Sequence, residues 1–170
     1  MGLFRKKFTI VVVCKANITR SAYLHGYMEN YLKEHMPYSR NKVRILSAGV
    51  QARSGGSANQ VVRHVAKLNG FSLMHHNSAS LTKRMVKTAD AILVMEQCQK
   101  DAILNYFPGA RNKTYRMMEY LRNEADEDAR DIRDIPDPTG LNTAEYEAFI
   151  EVAHAEVERI FRELGREGII

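Results

Sequence analysis

Apolar residues along the chain form short, continuous runs separated by stretches with helical spacing. Residues 8–13 form a continuous run rich in β-branched side chains, which is typical of a strand buried on both faces of a parallel sheet. Residues 43–46 predict a second strand, and residues 91–95 predict a third, buried strand. Residues 114–117 predict a weaker fourth strand. Because these strands alternate with helical segments, the pattern predicts an α/β fold with a mainly parallel sheet.

The helical segments show apolar residues at three- and four-residue steps. They are expected over residues 23–32, 61–68, 82–88, 97–107 and about 142–164. Ser57 is the predicted N-cap of the second helix, and Asn69 with Gly70 ends that helix. Residues 124–138 are acidic and contain two prolines, which predicts an irregular segment before the last helix.

The chain length of 170 residues fits a full hydrophobic core, so residues 1–170 are interpreted as a single domain. The expected architecture is a doubly wound, three-layer α/β/α arrangement around a four-stranded, mainly parallel sheet. Ligands of such sheets bind outside the carboxyl ends of the strands. The turn after the first strand is therefore the first place to look for chemistry, and Cys14 lies on it.

Charge is distributed unevenly along the chain, which has 25 Lys and Arg against 20 Asp and Glu, a formal charge of +5. Residues 1–123 hold 20 basic and 6 acidic residues, a net charge of +14, whereas residues 124–170 hold 5 and 14, a net charge of −9. A basic body with an acidic tail is compatible with a nucleic-acid or membrane partner. The more common explanation is that the two parts neutralise each other across the fold.

Two cysteines, Cys14 and Cys98, are too few for a disulfide framework. No apolar run is long enough to cross a bilayer, and no signal peptide follows the basic residues 1–7. The sequence therefore predicts a reduced, cytoplasmic protein without membrane insertion. The histidines show no metal-ligand spacing, so neither a metal nor another cofactor is expected.

A candidate phosphate-binding loop joins the first strand to the first helix. It begins at Cys14, ends at Arg20 and Ser21, and encloses Lys15, Ala16, Asn17, Ile18 and Thr19. Successive N–H groups in such a turn can surround an anion, and the dipole of the following helix favours negative charge. Arg20 can direct two donors at phosphate oxygens, and the same field favours a nucleophilic thiolate at Cys14. The alternative is that Cys14 is only a small buried side chain at a strand end.

At these residues the sequence resembles the low-molecular-weight protein tyrosine phosphatases, whose loop reads Cys-x-Gly-Asn-x-Cys-Arg-Ser-Pro. Cys14, Asn17, Arg20 and Ser21 match that loop in register. Further matches follow in the family's order over nearly the whole chain: Ser47-Ala48-Gly49, His76 with Leu81-Thr82, residues 92–96 and residues 135–138. The chain resembles the bacterial branch in particular, whose members are often found beside tyrosine kinases of polysaccharide export.

The resemblance implies a mechanism with a covalent intermediate. Cys14 would attack phosphorus to form a cysteinyl-phosphate, while Arg20 and the loop amides bind the equatorial oxygens. Asp137, which lies between two prolines, would protonate the leaving phenolate and then accept a proton from the hydrolytic water, and Asp134 is the alternative acid. The implied substrate is a phosphotyrosine protein, with a bacterial tyrosine autokinase of exopolysaccharide production as one candidate. Inorganic phosphate and vanadate would inhibit the reaction.

The resemblance also implies that Asn17, Ser21, Ser47 and His76 form a supporting network. Asparagine tolerates the left-handed backbone conformation that a tight loop requires. Hydrogen bonds from Ser47 and His76 would hold Asn17 and so orient the loop amides, and Ser21 could donate to the sulfur of Cys14. The alternatives are that His76 is a surface loop residue and Ser47 a simple turn residue.

Four positions depart from the family pattern. Ala16 replaces the loop glycine, Thr19 the second loop cysteine, Ala22 the proline that opens the helix, and Thr139 the aromatic residue after Asp-Pro. The changes at Ala16 and Thr139 leave open a second hypothesis, a phosphate-binding module with weak or lost turnover. Lys15, beside the nucleophile, could attract an anionic substrate or only face solvent.

Other functions fit the sequence less well. Thiol-dependent arsenate reduction needs a relay of cysteines, which Cys98 alone does not supply. Arginine phosphatases of the family carry Thr where this chain has Ile18, and the larger apolar side chain favours a flat phenyl ring. Nucleic-acid binding has no recognised motif in the chain, so the basic excess is better explained as a field that attracts phosphate.

Overall fold

The computed structural model describes residues 6–122 and 133–170. Within these residues four strands form one sheet, and their bounds are Phe8–Cys14 (β1), Val43–Gly49 (β2), Ala91–Val94 (β3) and Thr114–Arg116 (β4). The strand order is β2-β1-β3-β4, and every neighbouring pair is parallel. All four predicted strands are confirmed, and β2 continues beyond its predicted end through residues 47–49.

In the described part of the chain there are five α-helices: Arg20–His35 (α1), Gln60–Leu68 (α2), Lys83–Thr88 (α3), Gln97–Tyr106 (α4) and Thr143–Arg166 (α5). The prediction that Ser57 is the N-cap of α2 is wrong. Asn59 takes this position, because its side-chain carbonyl accepts a hydrogen bond from the Val61 N–H at 2.8 Å. Ser57 lies in the loop before it.

The two central strands, β1 and β3, are buried on both faces because helices cover both sides of the sheet. Along β1, Ile10, Val12 and Cys14 face the layer of α1, α2 and α5. Val11 and Val13 face the layer of α3 and α4. All of these side chains are buried, which explains the uninterrupted apolar run in the sequence. The arrangement confirms the predicted doubly wound α/β/α architecture.

The carboxyl ends of β1 and β2 lie side by side, since Cys14 pairs with Gly49. The chain that leaves β1 passes close to this end of β2. A Cβ atom on Gly49 would lie 2.6 Å from the carbonyl oxygen of Lys15, so only glycine leaves room for the approach. Gly49 thus allows the turn after Cys14 to pack against the carboxyl end of β2.

Residues 123–132, which contain most of the predicted acidic segment, lie outside the described residues. Residues 133–138 are irregular, as predicted. The segment ends where Asn142 caps α5 by accepting a hydrogen bond from the Glu145 N–H at 3.1 Å. Across residues 6–122 and 133–170, no helix has both the length and the apolar character that a membrane span needs.

Candidate active site

The turn after β1 is built so that its carbonyl groups are engaged from outside the turn. The carbonyl oxygens of Lys15, Asn17 and Ile18 accept hydrogen bonds from later segments at 2.9, 2.7 and 2.8 Å. Among the described residues, no protein group accepts from the backbone N–H groups of residues 15–19. These free donors precede the N-terminus of α1, so the turn forms a cup suited to an anion.

Cys14 is the last residue of β1 and is buried at the base of this cup. Its Sγ lies 3.0 Å from the Oγ of Ser21, in the first turn of α1. The Ser21 oxygen also accepts from the Asn17 side-chain amide at 2.8 Å. The single hydroxyl hydrogen of Ser21 is therefore left for the sulfur or for the more distant Ala48 carbonyl, at 3.4 Å. Ser21 is placed to donate to a thiolate at Cys14.

Asn17 holds the cup in shape. Its φ of 56° is in the left-handed region, and its side chain is fully buried. The amide oxygen accepts from the Ala79 N–H at 2.9 Å, and His76 donates from Nε2 to the backbone carbonyl of Asn17 at 2.7 Å. Burial lowers the pKa of His76 and outweighs the opposing effect of the Asn17 carbonyl, so the ring stays neutral near neutral pH. The structure thus brings Asn17, Ser21 and His76 together.

In the described part of the chain, Ser47 is not among the residues that hydrogen bond Asn17, and its place in the supporting network stays a prediction. Its Oγ lies 3.1 Å from Nδ1 of His25, on α1. The reason is the strand register, because the partner of Ser47 on β1 faces the α1 layer and paired residues of parallel strands share a face. Ser47 therefore links β2 to α1.

Arg20 is buried and surrounded by acceptors from the second half of the chain. Its Nη1 donates to the Glu96 carboxylate and to the backbone carbonyl of Ile135, the latter at 2.7 Å. Its Nη2 donates to Oδ2 of Asp137 at 2.9 Å. Its Nε is buried without a hydrogen-bond partner in the described residues. Two carboxylates thus balance the guanidinium, while Nε–H can still donate to an oxyanion.

Asp137 is held beside Arg20 by the irregular segment before α5. Its Oδ1 accepts from the Thr139 N–H at 3.0 Å. Burial would raise the pKa of Asp137, but hydrogen bonds from Thr139 and the charge of Arg20 outweigh it and hold this pKa below its ordinary value. Asp134 instead accepts from the Gln97 N–H at 3.0 Å, at the start of α4. Of the two candidate acids, Asp137 is the one that contacts Arg20.

Comparison with known proteins identifies the family to which this site belongs. The sequence profile described as "Low molecular weight phosphotyrosine protein phosphatase" matches residues 9–169. The chain belongs to this family. It is 38% identical to the putative low molecular weight protein-tyrosine-phosphatase of Klebsiella pneumoniae over 130 residues, which are 76% of this chain and 78% of the relative. It is 31% identical to the probable low molecular weight protein-tyrosine-phosphatase AmsI of Erwinia amylovora over 158 residues, 93% and 98% of the two chains.

A solved structure with the same fold comes from an arginine phosphatase. YwlE arginine phosphatase from Geobacillus stearothermophilus matches with a TM-score of 0.80 and 27% identity, over 94% of this chain and 94% of that chain. These findings confirm the family, the fold class and the phosphatase class that the sequence predicts. They also show that this fold is used on more than one phosphorylated side chain.

The residues that depart from the phosphatase family's pattern lie around the cup. Thr139 donates a hydrogen bond to Thr19 at 2.9 Å between the hydroxyl oxygens. Ala16 is partly exposed and Lys15 is exposed. Lys15 borders a cavity of about 310 Å³ that Cys98 also lines. In the ranges that the structure covers, no group of His, Cys, Asp and Glu residues could hold a metal ion.

Glu96 is a residue of the candidate site that the sequence reasoning missed. Besides Arg20, its carboxylate accepts from the Gln99 side-chain amide at 3.1 Å and from the Cys98 thiol at 3.3 Å. The signal that could have marked Glu96 is its place just beyond the carboxyl end of β3, where ligand-binding residues collect. Desolvation and the Glu96 carboxylate raise the pKa of Cys98, so this exposed residue stays a protonated thiol.

Proposed function

We propose that this chain is a protein tyrosine phosphatase that hydrolyses phosphotyrosine through a cysteinyl-phosphate intermediate. The observation that carries the proposal is the convergence of Cys14, the free N–H groups of residues 15–19, Arg20 and Asp137 at the carboxyl end of one sheet. This set supplies a nucleophile, an oxyanion cup and a proton donor. Phosphoryl transfer by covalent catalysis requires these three parts.

Substrate binding begins at the cup and Arg20. A phosphoryl dianion in the cup accepts from the free N–H groups and from the unpaired Nε of Arg20. It also competes with Glu96 and Asp137 for the two Nη groups. Because the phosphoryl group carries more negative charge than either carboxylate, the guanidinium is expected to turn toward the phosphate.

This exchange prepares Asp137 to act as an acid. In the structure Arg20 contributes to the lowered pKa of Asp137, so the carboxylate is ionised at neutral pH. Once a dianion engages Arg20 and adds negative charge nearby, the pKa of Asp137 rises. Asp137 can then carry the proton that the departing phenolate needs.

Two chemical steps follow. In the first, Cys14 Sγ bonds to phosphorus as the bond between phosphorus and the tyrosine oxygen breaks, and Asp137 gives its proton to that oxygen. In the second, Asp137 takes a proton from water, whose oxygen bonds to phosphorus as the phosphorus–sulfur bond breaks. Ser21, 3.0 Å from the sulfur, donates to the departing thiolate. Arg20 and the loop N–H groups hold the equatorial oxygens in both steps.

Ile18 supports a phenolic substrate. Its side chain is partly exposed on the loop, and an apolar side chain of this size packs well against a flat ring. The substrate we propose is a phosphotyrosine protein, and the resemblance to the bacterial branch suggests a tyrosine autokinase of exopolysaccharide production. A cytoplasmic location goes with this proposal, because Cys14 and Cys98 are free thiols.

Hydrolysis assays with the purified protein test the proposal. We expect vanadate-sensitive release of phosphate from phenyl phosphate, from a phosphotyrosine peptide and from a tyrosine autokinase, and slower release from a phosphoarginine peptide. Cys14→Ser should abolish turnover, whereas Cys98→Ser, the same exchange at the other cysteine, should retain it. Rapid acid quenching of the wild-type reaction should leave phosphate bound to the peptide that contains Cys14.

A phosphate-binding module with weak or lost turnover is the second candidate. Two observations favour it: Ala16 adds a methyl group at the cup, and carboxylates occupy both Nη groups of Arg20. Binding of inorganic phosphate without turnover of any aryl phosphate would establish this module and overturn the enzyme proposal. A faster reaction with phosphoarginine would overturn only the choice of substrate.

A further inference from the structure

Two of the residues that depart from the family pattern meet in the structure. The hydroxyl of Thr139 donates to the hydroxyl of Thr19 at 2.9 Å, although the two residues are 120 positions apart in the sequence. Thr19 is 3% exposed and is the last residue of the loop before α1. Thr139 follows Asp137 by two residues. The contact therefore joins the phosphate cup to the segment that carries the proposed acid.

The hydroxyl of Thr19 is not used as a helix cap. A threonine at the N-cap position commonly accepts a hydrogen bond from a backbone N–H in the first helical turn. Thr19 occupies the N-cap position of α1, and its side chain makes no such bond. Its oxygen accepts from Thr139 instead. The Thr19 side chain thus connects the loop to the segment that carries Thr139 and does not cap its own helix.

Thr139 in turn controls the carboxylate of Asp137. Its N–H donates to Asp137 Oδ1 at 3.0 Å, so the position of the Thr139 backbone decides where that oxygen lies. Pro136 and Pro138 have no N–H groups with which to tie the segment elsewhere. At its other end, the Ile135 N–H donates at 2.8 Å to the carbonyl that follows β3. Asp137 lies between these two anchors.

We propose that Thr19 and Thr139 form a latch that positions Asp137 for proton transfer. The inference rests on the proposed phosphatase function. When Arg20 turns from Asp137 to the phosphate, the carboxylate loses its contact with the guanidinium, and its contacts with Thr139 remain. A general acid must lie within hydrogen-bond reach of the leaving oxygen. Both threonines are positioning residues, because they act through Asp137 and not on the reacting atoms.

Valine substitutions test the latch, because they remove the hydroxyl and keep the shape of threonine. For phenyl phosphate, whose leaving group needs a proton, kcat/KM should fall about tenfold in Thr19→Val and in Thr139→Val. The double variant should fall by clearly less than the product of the two single losses, since both substitutions remove the hydrogen bond between Thr19 and Thr139. For an aryl phosphate with a strongly acidic phenol, kcat/KM should stay within about twofold of wild type, because that leaving group departs without a proton.

Three further measurements separate positioning from general damage. Vanadate affinity should be unchanged in the valine variants, because the cup keeps its donors. Thr19→Ser should restore the rate with phenyl phosphate. Thr19→Val is the cleaner of the two variants, since the Thr139 side chain also hydrogen bonds Asp137 and Tyr146. Thr88→Val is the matched control, because Thr88 is an exposed residue on α3 whose hydroxyl bonds to Arg84 in its own helix.

Each contrary outcome has a distinct meaning. Equal losses with both leaving groups, or losses that add in the double variant, would overturn the latch by showing a general or an independent role. Valine variants that match wild type with phenyl phosphate would refute the latch and leave the phosphatase standing. A wild-type protein that turns over no aryl phosphate would refute the phosphatase and, with it, the positioning role.

Discussion

Arg20 and Asp137 make opposing demands on one another within the site. A buried guanidinium needs anionic partners, and Glu96 and Asp137 supply them. The same contact stabilises the ionised form of Asp137, which is the wrong form for an acid. In the proposed mechanism the charge of the substrate draws Arg20 away from the acid. Proton transfer would then become available only when phosphate occupies the cup.

Asp137→Asn should remove the proton donor while it keeps the side-chain shape. We expect kcat for phenyl phosphate to fall by roughly 10²–10⁴-fold, with phosphate affinity largely kept. In the proposed mechanism the acid is protonated in the substrate complex, so the rate of the first step should decline as pH rises through the pKa that Asp137 has in that complex. That alkaline decline should be lost in the variant, as measured by single-turnover kinetics over a pH series.

Asp134→Asn is the matched control for this prediction. Asp134 accepts from the Gln97 N–H at the start of α4, so its loss should act on local structure and leave the rate near that of wild type. A large loss in Asp134→Asn combined with a small loss in Asp137→Asn would reverse the assignment of the acid.

Among the elements, α5 combines an apolar stripe with one buried charge. Glu156 is 5% exposed and contacts Arg122 at 2.6 Å and Arg159 at 2.8 Å. Arg159 also donates to the backbone carbonyl of Met117, just after β4. Glu156, Arg122 and Arg159 therefore attach α5 to the edge of the sheet that β4 forms. The Glu156 carboxylate thus supplies the negative charge that balances two largely buried guanidinium groups.

Glu156→Ala should destabilise the protein by about 3 kcal/mol, because it leaves the guanidinium groups of Arg122 and Arg159 without their anion. Glu151→Ala, on the exposed face of the same helix, should change the free energy of unfolding by less than about 0.5 kcal/mol. Urea unfolding followed by circular dichroism measures both. Equal stabilities for the two variants would show that the buried carboxylate contributes nothing net to folding.

Across the whole molecule, the basic and acidic parts of the chain neutralise each other in places that matter for the site. Ion pairs between residues 6–122 and residues 133–170 include Arg20 with Asp137, Arg116 with Asp134 and Arg122 with Glu156. The acidic tail thus supplies the proposed proton donor as well as a counter-charge. We interpret the positive charge that is left as a field that attracts a phosphate group rather than as a broad surface for a polyanion.

We accordingly expect no binding of duplex DNA tighter than about 100 µM at physiological salt, the weak end of ordinary non-specific binding. Fluorescence anisotropy with a labelled duplex, at low and at physiological salt, measures this. A micromolar affinity with a steep salt dependence would show instead that the basic part forms a nucleic-acid surface.

The sequence by itself determined the features that depend on neighbouring residues. Buried strands can be recognised in the sequence as runs rich in β-branched residues. The turn from Cys14 to Ser21 contains the proposed nucleophile, the arginine and an asparagine that tolerates a φ of 56°. The match of these segments to a known family extended the expectation to Asp137 and His76. Local periodicity also placed the helices closely, with an error at Ser57, where two polar residues compete for one N-cap and only backbone geometry selects Asn59.

The tertiary structure alone decided which distant side chains meet. Glu96 and Arg20 lie 76 positions apart, and Thr19 and Thr139 lie 120 positions apart, so no local pattern encodes either contact. Strand register turned Ser47 toward His25, because a side chain in a parallel sheet must follow the face of its partner. A hydrogen bond forms only when its donor and acceptor lie about 3 Å apart. Packing of the whole chain places distant side chains with that precision, whereas the order of the residues does not specify it.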